Sequence, residues 1–197
     1  MKTTGSVDRV HFLESERLFL TPTTDDDFED HYRWLHDRGI SYLDDRHFRP
    51  VSRARAKEQF DARRNAEDVM SLAVLSRQDG RFMGLTELYG IDYYERKCYW
   101  GLILGEGYRR QGYGTEIAEL IMKYVFDDLG FNRLKSYTHS GNTGSMQFHK
   151  SLGFVQEGRL RQEFFFGGEY VDGLDYAILR GEYFSRVGRT ERNDDHE

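Results

Sequence analysis

A short segment rich in glycine and arginine has the residues best suited to bind an anion. It follows the apolar run Leu102–Leu104 and precedes a long amphipathic sequence. Its residues, here called the glycine–arginine loop, are Arg109, Arg110, Gln111, Gly112, Tyr113, Gly114 and Thr115. The first N–H groups of a helix lack intrahelical acceptors, so a phosphate placed there accepts their hydrogen bonds and meets the positive end of the helix dipole. The glycines permit close backbone approach, and the arginines add charge. An ordinary strand-to-helix turn is the alternative interpretation.

Hydrophobic periodicity and turn residues predict the elements that must position this loop. In chain order they are a strand at Glu16–Thr21, helices from Thr24 to about Asp37 and from Ser52 to about Asn65, strands at Met70–Leu75, Phe82–Tyr89 and Cys98–Leu104, a helix from Thr115 to about Leu129, a strand at Leu134–Thr138, a helix from Asn142 to about Leu152, a strand beginning at Phe154, and a hairpin through Phe164–Phe166 and Tyr176–Leu179. Residues before Glu16 are expected to be loose.

The order of these elements predicts the fold class. Three consecutive strands joined by short turns form an antiparallel meander, whereas the helix between Leu104 and Leu134 makes a parallel crossover. In the first helix, Phe28, Tyr32 and Leu35 share one apolar face. We therefore predict a single α/β domain whose mixed, mostly antiparallel sheet has about seven strands, flanked by about four helices.

Composition limits the cellular context and the classes of partner. The chain has 197 residues, which we assign to one domain at residues 1–185 and a polar tail at residues 186–197. Its formal charge of −6 argues against extended contacts with nucleic acid. Cys98 is the only cysteine, so no intrachain disulfide can form and no thiolate metal cluster is expected. Neither a membrane-spanning run nor a signal peptide is evident, so we expect a cytoplasmic protein that binds no membrane.

The segment from Asp25 to Arg46 is locally anionic, with eight acidic residues against three basic ones. The acids are Asp25, Asp26, Asp27, Glu29, Asp30, Asp37, Asp44 and Asp45, and the bases are Arg33, Arg38 and Arg46. Such a charge run commonly forms a solvated helix face. The functional interpretation is an entrance that attracts a cationic amine.

Other phosphate-binding motifs fit the glycine–arginine loop poorly. A P-loop requires Gly-x-x-x-x-Gly-Lys, and Tyr113 stands where the lysine should follow Gly112. A dinucleotide fingerprint requires Gly-x-Gly-x-x-Gly, but Arg110 occupies the third glycine position in the series from Gly105. The preceding meander also differs from the βαβ unit in which that fingerprint occurs.

The whole arrangement resembles the GNAT superfamily of acyl-CoA-dependent N-acetyltransferases. The resemblance rests on Arg109-x-x-Gly112-x-Gly114, Asn142 with its short helix and Leu152-Gly153-Phe154, in this order of elements, and it covers roughly residues 14–184. Residues 1–185 would then be an N-acetyltransferase domain. Three further segments look like the subgroup of ribosomal-protein alanine and diamine N-acetyltransferases. They are Glu16-Arg17-Leu18, Glu157-Gly158 and Gly168-Glu169-Tyr170-Val171-Asp172.

The resemblance implies a set of residues that bind the acetyl donor, acetyl-CoA, as a cosubstrate without a metal. The glycine–arginine loop would bind the pyrophosphate. The backbone of Leu102, Ile103 and Leu104 would hydrogen-bond the pantetheine arm, which would lie like an added strand between two splayed strands. Asn142 would fasten the same arm, although a helix N-cap is an equally good interpretation.

The resemblance also implies direct attack of a neutral amine on the thioester, with no covalent enzyme intermediate. A tyrosine often stands seven residues after the asparagine as the acid that protonates the leaving thiolate, but this chain has His149 there. An imidazole can act as acid or base, and a packed structural role is the alternative. Glu87 is the predicted base or water holder, with an exposed strand residue as its alternative. Tyr108 and Tyr113 are other hydroxyl donors, and Cys98 is interpreted as core.

We therefore expect an N-acetyltransferase that acetylates a primary amine of a small cationic molecule, such as a polyamine or an amino sugar. Acetylation of a protein N-terminus is the alternative within enzymes. A non-catalytic CoA-binding regulatory domain is the alternative outside them. The sequence leaves the oligomeric state open, and a homodimer is compatible with it.

Overall fold

The computed structural model describes residues 9–37 and 50–189. Their contacts group into two compact units, each described here by itself. The first unit takes its residues from Met1–Gly90 and Trp100–Leu120, and the second takes its residues from Ile91–Tyr99 and Ile121–Glu197.

Within the described residues, the backbone forms eight strands and five α-helices. The strands are β1 (Leu13–Glu14), β2 (Leu18–Pro22), β3 (Val69–Ser76), β4 (Phe82–Asp92), β5 (Lys97–Leu104), β6 (Arg133–His139), β7 (Val155–Phe166) and β8 (Glu169–Leu179). The helices are α1 (Phe28–Leu35), α2 (Arg53–Arg64), α3 (Tyr113–Lys123), α4 (Thr143–Ser151) and α5 (Arg180–Arg186). Short 3₁₀ turns occupy Asp25–Asp27 and Glu106–Tyr108, and a π-helical segment, Tyr124–Asp128, continues α3.

The strands form one mixed sheet with the order β1-β2-β3-β4-β5-β6-β8-β7. The recorded pairings are antiparallel except that between β5 and β6, which is parallel and aligns Lys97, Cys98 and Tyr99 with Arg133, Leu134 and Lys135. The predicted fold class is confirmed. The counts differ because the two-residue β1 and the helix α5, whose N-cap is the apolar Leu179, were not expected. In addition, the strands expected at Phe154 and at Phe164–Phe166 form the single strand β7.

The first unit contains a small core between α1 and α2. Phe28, Ala56 and Phe60 are buried there, and Tyr32 and Leu35 pack against them, as the apolar face of the first helix predicts. Ser52 caps α2 by accepting a hydrogen bond from the Arg55 N–H at 3.3 Å. The predicted helix starts at Thr24 and Ser52 are therefore correct to within a few residues.

The second unit is built on β6, β8 and the helices that cover them. The register aligns Leu134 with Ile178 and Ser136 with Tyr176. Phe126 stacks on Tyr183 of α5 with ring centroids 5.0 Å apart. Beyond α5, Arg189 pairs with Asp127 at 2.8 Å, so the described start of the predicted polar tail is fixed to this unit. Residues 190–197 lie outside the described residues.

Candidate functional site

At the end of β5, the N–H and C=O groups of alternate residues face β4. The Gly105 N–H donates to the Met83 carbonyl at 3.0 Å, and the Gly101 carbonyl accepts from the Thr86 hydroxyl at 3.1 Å. In a strand the N–H and C=O of one residue face the same edge, and those of the next residue face the opposite edge. The N–H and C=O groups of Leu102 and Leu104 therefore point away from β4.

Ile103 therefore differs from its two neighbours. A methyl group added to Gly84 of β4 would lie 2.4 Å from the Ile103 carbonyl oxygen, so this carbonyl faces β4. Of the three residues expected to bind the pantetheine arm, Ile103 therefore faces β4, and only Leu102 and Leu104 have N–H and C=O groups on the other edge of β5. This difference depends on the register of β5 against β4, which the sequence alone does not predict.

The glycine–arginine loop bends through two residues with positive φ. Arg110 has a φ of 58° and Gly112 a φ of 83°. The left-handed conformation is unfavourable for a residue with a Cβ atom, which explains the glycine at position 112. The Arg109 Nε donates to the Leu104 carbonyl at 2.8 Å, and the Gln111 side chain donates to the Gly107 carbonyl at 2.6 Å. Arg109 thus stabilises the turn, while the Arg110 side chain is exposed.

The loop leads directly into α3 and leaves its first N–H groups available. The Glu116 N–H donates to the Gly112 carbonyl at 3.2 Å and makes the first hydrogen bond of the helix. The N–H groups of Tyr113, Gly114 and Thr115 precede it and consequently have no intrahelical acceptor. This geometry supports the anion-binding interpretation of the loop.

Arg17 braces this helix start and is a residue whose role was missed in the sequence. Its Nε and Nη2 atoms both lie 2.6 Å from Glu116 Oε2, and its Nη1 donates to the Gln111 carbonyl at 3.0 Å. Its guanidinium carbon lies 4.4 Å from the centre of the Tyr113 ring. The sequence pattern Glu16-Arg17-Leu18 marked the position, but the partners are distant in sequence.

Glu116 accepts further hydrogen bonds that affect its ionisation. The Ser15 hydroxyl and the Arg17 backbone N–H both donate to Oε1. Burial alone would raise the pKa of Glu116, but the hydrogen bonds from Ser15 and Arg17 and the charge of Arg17 outweigh it. The net pKa lies below the ordinary value, so this carboxylate is ionised at neutral pH.

Glu87, the predicted base, lies on β4 opposite Ser71 of β3. Its Oε2 accepts a hydrogen bond from Arg63 Nε of α2 at 3.1 Å, and its side chain is 18% exposed. The Arg63 guanidinium also lies 5.1 Å from the centre of the Tyr89 ring. Glu87 is consequently a paired and partly buried carboxylate, and its role as base or water holder stays a prediction.

Asn142 and His149 belong to the second unit. The Asn142 side chain accepts a hydrogen bond from the Ser145 N–H at 3.0 Å, which confirms the predicted N-cap of α4. His149 is only 4% exposed, and its ring stacks on Tyr176 with centroids 4.9 Å apart.

Both ring nitrogens of His149 have hydrogen-bond partners. Nδ1 lies 2.8 Å from the Ser145 carbonyl, which can only accept, so Nδ1 carries the proton and donates. Nε2 of the neutral ring then accepts from the Ser136 hydroxyl at 2.7 Å. Burial, opposed in part by the bond to Ser145, lowers the pKa of His149. This geometry favours a structural role over that of an acid.

The described acids of the predicted anionic entrance are mostly paired with arginine or lysine. The pairs are Asp25 with Lys57 and Arg64, Asp27 with Arg9, Glu29 with Arg53, and Asp30 with Arg33. Asp44, Asp45, Arg38 and Arg46 lie outside the described residues. These ion pairs offset part of the negative charge of the described acids, and the anionic entrance stays a prediction.

Three further expectations concern single residues. Cys98 is fully buried, and burial raises the pKa of its thiol to about 12, so its interpretation as core is confirmed. Tyr108 and Tyr113 form an edge-on ring pair with centroids 6.3 Å apart, which fits the packing role expected of them. In the part of the chain that the structure describes, no helix is long and apolar enough to cross a membrane and no group of three acidic, histidine or cysteine residues could hold a metal.

A sequence model of the acetyltransferase (GNAT) domain matches residues 17–155, a range that contains β2 through α4 and the glycine–arginine loop. The chain belongs to the GNAT acetyltransferase family. The enzyme class that the resemblance implied, an N-acetyltransferase, is thereby confirmed.

Relatives of this GNAT enzyme include proteins named as spermidine and candidate ribosomal N-acetyltransferases. The chain is 31% identical to the spermidine N(1)-acetyltransferase of Escherichia coli K12 over 107 residues, which cover 54% of this chain and 58% of that protein. It is 26% identical to a candidate ribosomal N-acetyltransferase of Bacillus subtilis, YdaF, over 62% of this chain and 67% of that protein.

A solved structure shares the fold of this GNAT enzyme. The spermidine N-acetyltransferase of Vibrio cholerae, crystallised with CoA and spermine, superposes with a TM-score of 0.79 at 22% sequence identity. The match covers 86% of this chain and 99% of that one.

Proposed function

We propose that this enzyme transfers the acetyl group of acetyl-CoA to a primary amine of a small cationic molecule, such as a polyamine or an amino sugar. The start of α3 carries the proposal. There the N–H groups of Tyr113, Gly114 and Thr115 lack intrahelical acceptors, and Arg110 is exposed beside them. Amide donors at a helix start together with a guanidinium suit the charge of a pyrophosphate.

The rest of the acetyl donor would extend along β5. The Leu102 peptide groups and the Leu104 N–H point away from β4 and are suited to bind the amides of the pantetheine arm, as an added strand would. The Leu104 carbonyl already accepts a hydrogen bond from Arg109, so this bond connects β5 to the glycine–arginine loop. Asn142 remains a proposed second contact for this arm.

The chemistry is direct transfer between thioester and amine. The bound donor supplies an activated acetyl group. The neutral amine attacks the carbonyl carbon, a C–N bond forms and the C–S bond breaks. The proton that the nitrogen then loses is taken up by the departing thiolate, which leaves as a thiol. The acceptor arrives as an ammonium ion, so a base must first remove a proton.

Glu87 is the residue that we propose for this proton transfer, directly or through a water molecule. It lies on β4, which pairs with β3 and leads to the strand that carries Leu102 and Leu104. Arg63 contacts Oε2 of Glu87 and holds the side chain in place, so Oε1 can accept the proton. His149 is proposed to stabilise α4 against β6 rather than to protonate the thiolate.

The choice of acceptor rests on relatives rather than on the acidic segment. Proteins named as spermidine acetyltransferases are similar to this chain in sequence and in fold. Acetylation of a protein N-terminus is the second candidate, and the similarity to YdaF favours it.

Binding of the donor is tested by thermal unfolding with and without CoA. CoA at a hundredfold excess over its dissociation constant should stabilise the protein by about 2.7 kcal/mol. For a chain of this size we expect the melting temperature to rise by about 5–10 °C. The absence of any shift at millimolar CoA would contradict the proposed donor.

The acceptor is tested by a thiol-release assay with acetyl-CoA. Spermidine, glucosamine and a peptide with a free N-terminus are compared with butylamine, a monoamine that matches one arm of spermidine. The proposal expects a higher kcat/KM for a polyamine or amino sugar than for butylamine. Preference for the peptide would favour the second candidate. Replacing Glu87 with Gln should lower kcat by about 100-fold or more if it acts as the base.

A further inference from the structure

Arg17 lies immediately before β2 and contacts the start of α3. Three of its guanidinium N–H groups are engaged, those on Nε and Nη2 by Glu116 and that on Nη1 by the Gln111 carbonyl at 3.0 Å. Its side chain is 45% exposed, whereas that of Glu116 is 18% exposed. Neither the ligand-binding residues implied by the family resemblance nor those of the proposed reaction include Arg17.

The hydrogen bond to Gln111 determines where the next N–H group points. In a trans peptide the C=O of one residue and the N–H of the following residue point in opposite directions. The structure has no cis peptide bonds in its described residues. Because the Gln111 carbonyl points toward Arg17, the Gly112 N–H points away from Arg17.

The ion pair with Glu116 has a second, electrostatic consequence. Glu116 lies in the first turn of α3, close to the N–H groups that would receive the pyrophosphate. An uncompensated carboxylate there would repel an anionic ligand, because like charges a few ångströms apart interact unfavourably. Arg17 forms an ion pair with this carboxylate and compensates its charge.

We propose that Arg17 is a positioning residue for the CoA pyrophosphate, which it aids by turning the Gly112 N–H outward and by neutralising Glu116. The inference rests on the proposed function, since it requires the glycine–arginine loop to bind CoA. Arg17 acts through the Gln111–Gly112 peptide and through Glu116 rather than by contact with the ligand. Its contribution is therefore specific to donors that carry the pyrophosphate.

The test compares CoA with a donor that lacks this group. Dissociation constants for CoA are measured by calorimetry, and steady-state kinetics are measured with acetyl-CoA and with acetylpantetheine. Replacing Arg17 with Gln should weaken CoA binding about tenfold, because charge-assisted hydrogen bonds are lost and Glu116 becomes unpaired. The KM for acetylpantetheine should change less than twofold, since that donor does not reach the loop.

A matched pair elsewhere controls for the loss of an arginine. Arg189 pairs with Asp127, with side chains 51% and 18% exposed, nearly the values of Arg17 and Glu116. Arg189→Gln should leave CoA affinity unchanged. The double variant Arg17→Gln/Glu116→Gln should recover part of the lost affinity, because it removes the uncompensated charge. Recovery would not follow from a merely structural role of Arg17.

The outcomes distinguish the two proposals. If the unchanged enzyme fails to bind CoA, the proposed function is wrong. If it binds CoA and folded Arg17→Gln binds equally well, or loses acetylpantetheine turnover to the same extent, the inference about Arg17 is wrong. Should Arg17→Gln fail to fold, Arg17→Lys takes its place. It keeps the charge but lacks the fork that joins Glu116 to Gln111, and CoA affinity equal to that of the unchanged enzyme would overturn the inference.

Discussion

Replacing Gly112 with Ala tests whether the conformation of the glycine–arginine loop creates the anion site. Gly112 has a φ of 83°, and a methyl group on it would lie 3.3 Å from Arg17 Nη2. Gly107 in the preceding turn is the matched control, since an added methyl group would have no atom within 4 Å and its φ is not positive. The two variants add the same group to the same segment.

The expected effects on stability have opposite signs. An L-residue in the left-handed conformation costs about 1–2 kcal/mol. Against this, replacing glycine by alanine lowers the entropy of the unfolded chain and stabilises by about 0.4–1 kcal/mol where the conformation is suitable. Gly112→Ala should therefore lose about 1 kcal/mol net, whereas Gly107→Ala should gain a few tenths of a kcal/mol or more. The difference between the two isolates the strain at position 112.

Urea unfolding with and without CoA measures both quantities. Gly112→Ala should also bind CoA more weakly, because relief of the strain rotates the peptide groups on either side of residue 112. Gly107→Ala should keep the affinity of the unchanged enzyme. If Gly112→Ala were as stable as Gly107→Ala and bound CoA equally well, the positive φ of residue 112 would neither require glycine nor create the anion site.

Three further predictions concern buried and ionised groups. Replacing His149 with Phe should cost about 1–3 kcal/mol of stability through the lost hydrogen bonds, with turnover per folded enzyme nearly kept; a fall in kcat of about 100-fold or more would instead place His149 in the chemistry. Tyr176 is fully buried, its hydroxyl has no hydrogen-bond partner in the described part of the chain, and burial raises its pKa, so Tyr176→Phe should be neutral or stabilising by up to about 1 kcal/mol in urea unfolding. A clear loss would reveal a partner of that hydroxyl. The pKa of Glu116 is lowered in the folded state, so its contribution to stability is present above the ordinary carboxyl pKa and is lost as the pH falls through the lowered value. Glu116→Gln should consequently lose less stability between about pH 5 and pH 3 than the unchanged protein, and parallel curves would contradict this reasoning.

Local sequence patterns were sufficient to predict the elements and to single out the glycine–arginine loop. Apolar periodicity along helices and strands depends on residues a few positions apart, so the helix with Phe28, Tyr32 and Leu35 and the strands around Gly84 could be predicted. The loop was recognisable for the same reason, because Arg109, the glycines and the following helix are contiguous. The two helix N-caps, Ser52 and Asn142, likewise depend only on the first turn of each helix.

The partners of the site residues depended on tertiary structure. Arg17 and Glu116 are 99 positions apart in the sequence, and only the tertiary fold brings them together. The charge run from Asp25 to Asp30 predicted an entrance for a cationic amine, but α2 and Arg9 supply most of its counter-ions from outside the run.

The sequence by itself determined that the chain has a helix start suited to a pyrophosphate, because a short contiguous segment encodes that chemistry. Tertiary structure decided which peptide groups beside it are available. The register with β4 separates Leu102 and Leu104 from Ile103, and the packing around His149 engages both of its nitrogens. Hydrogen-bond direction and burial are set by neighbours distant in sequence, so no local pattern of residues carries them.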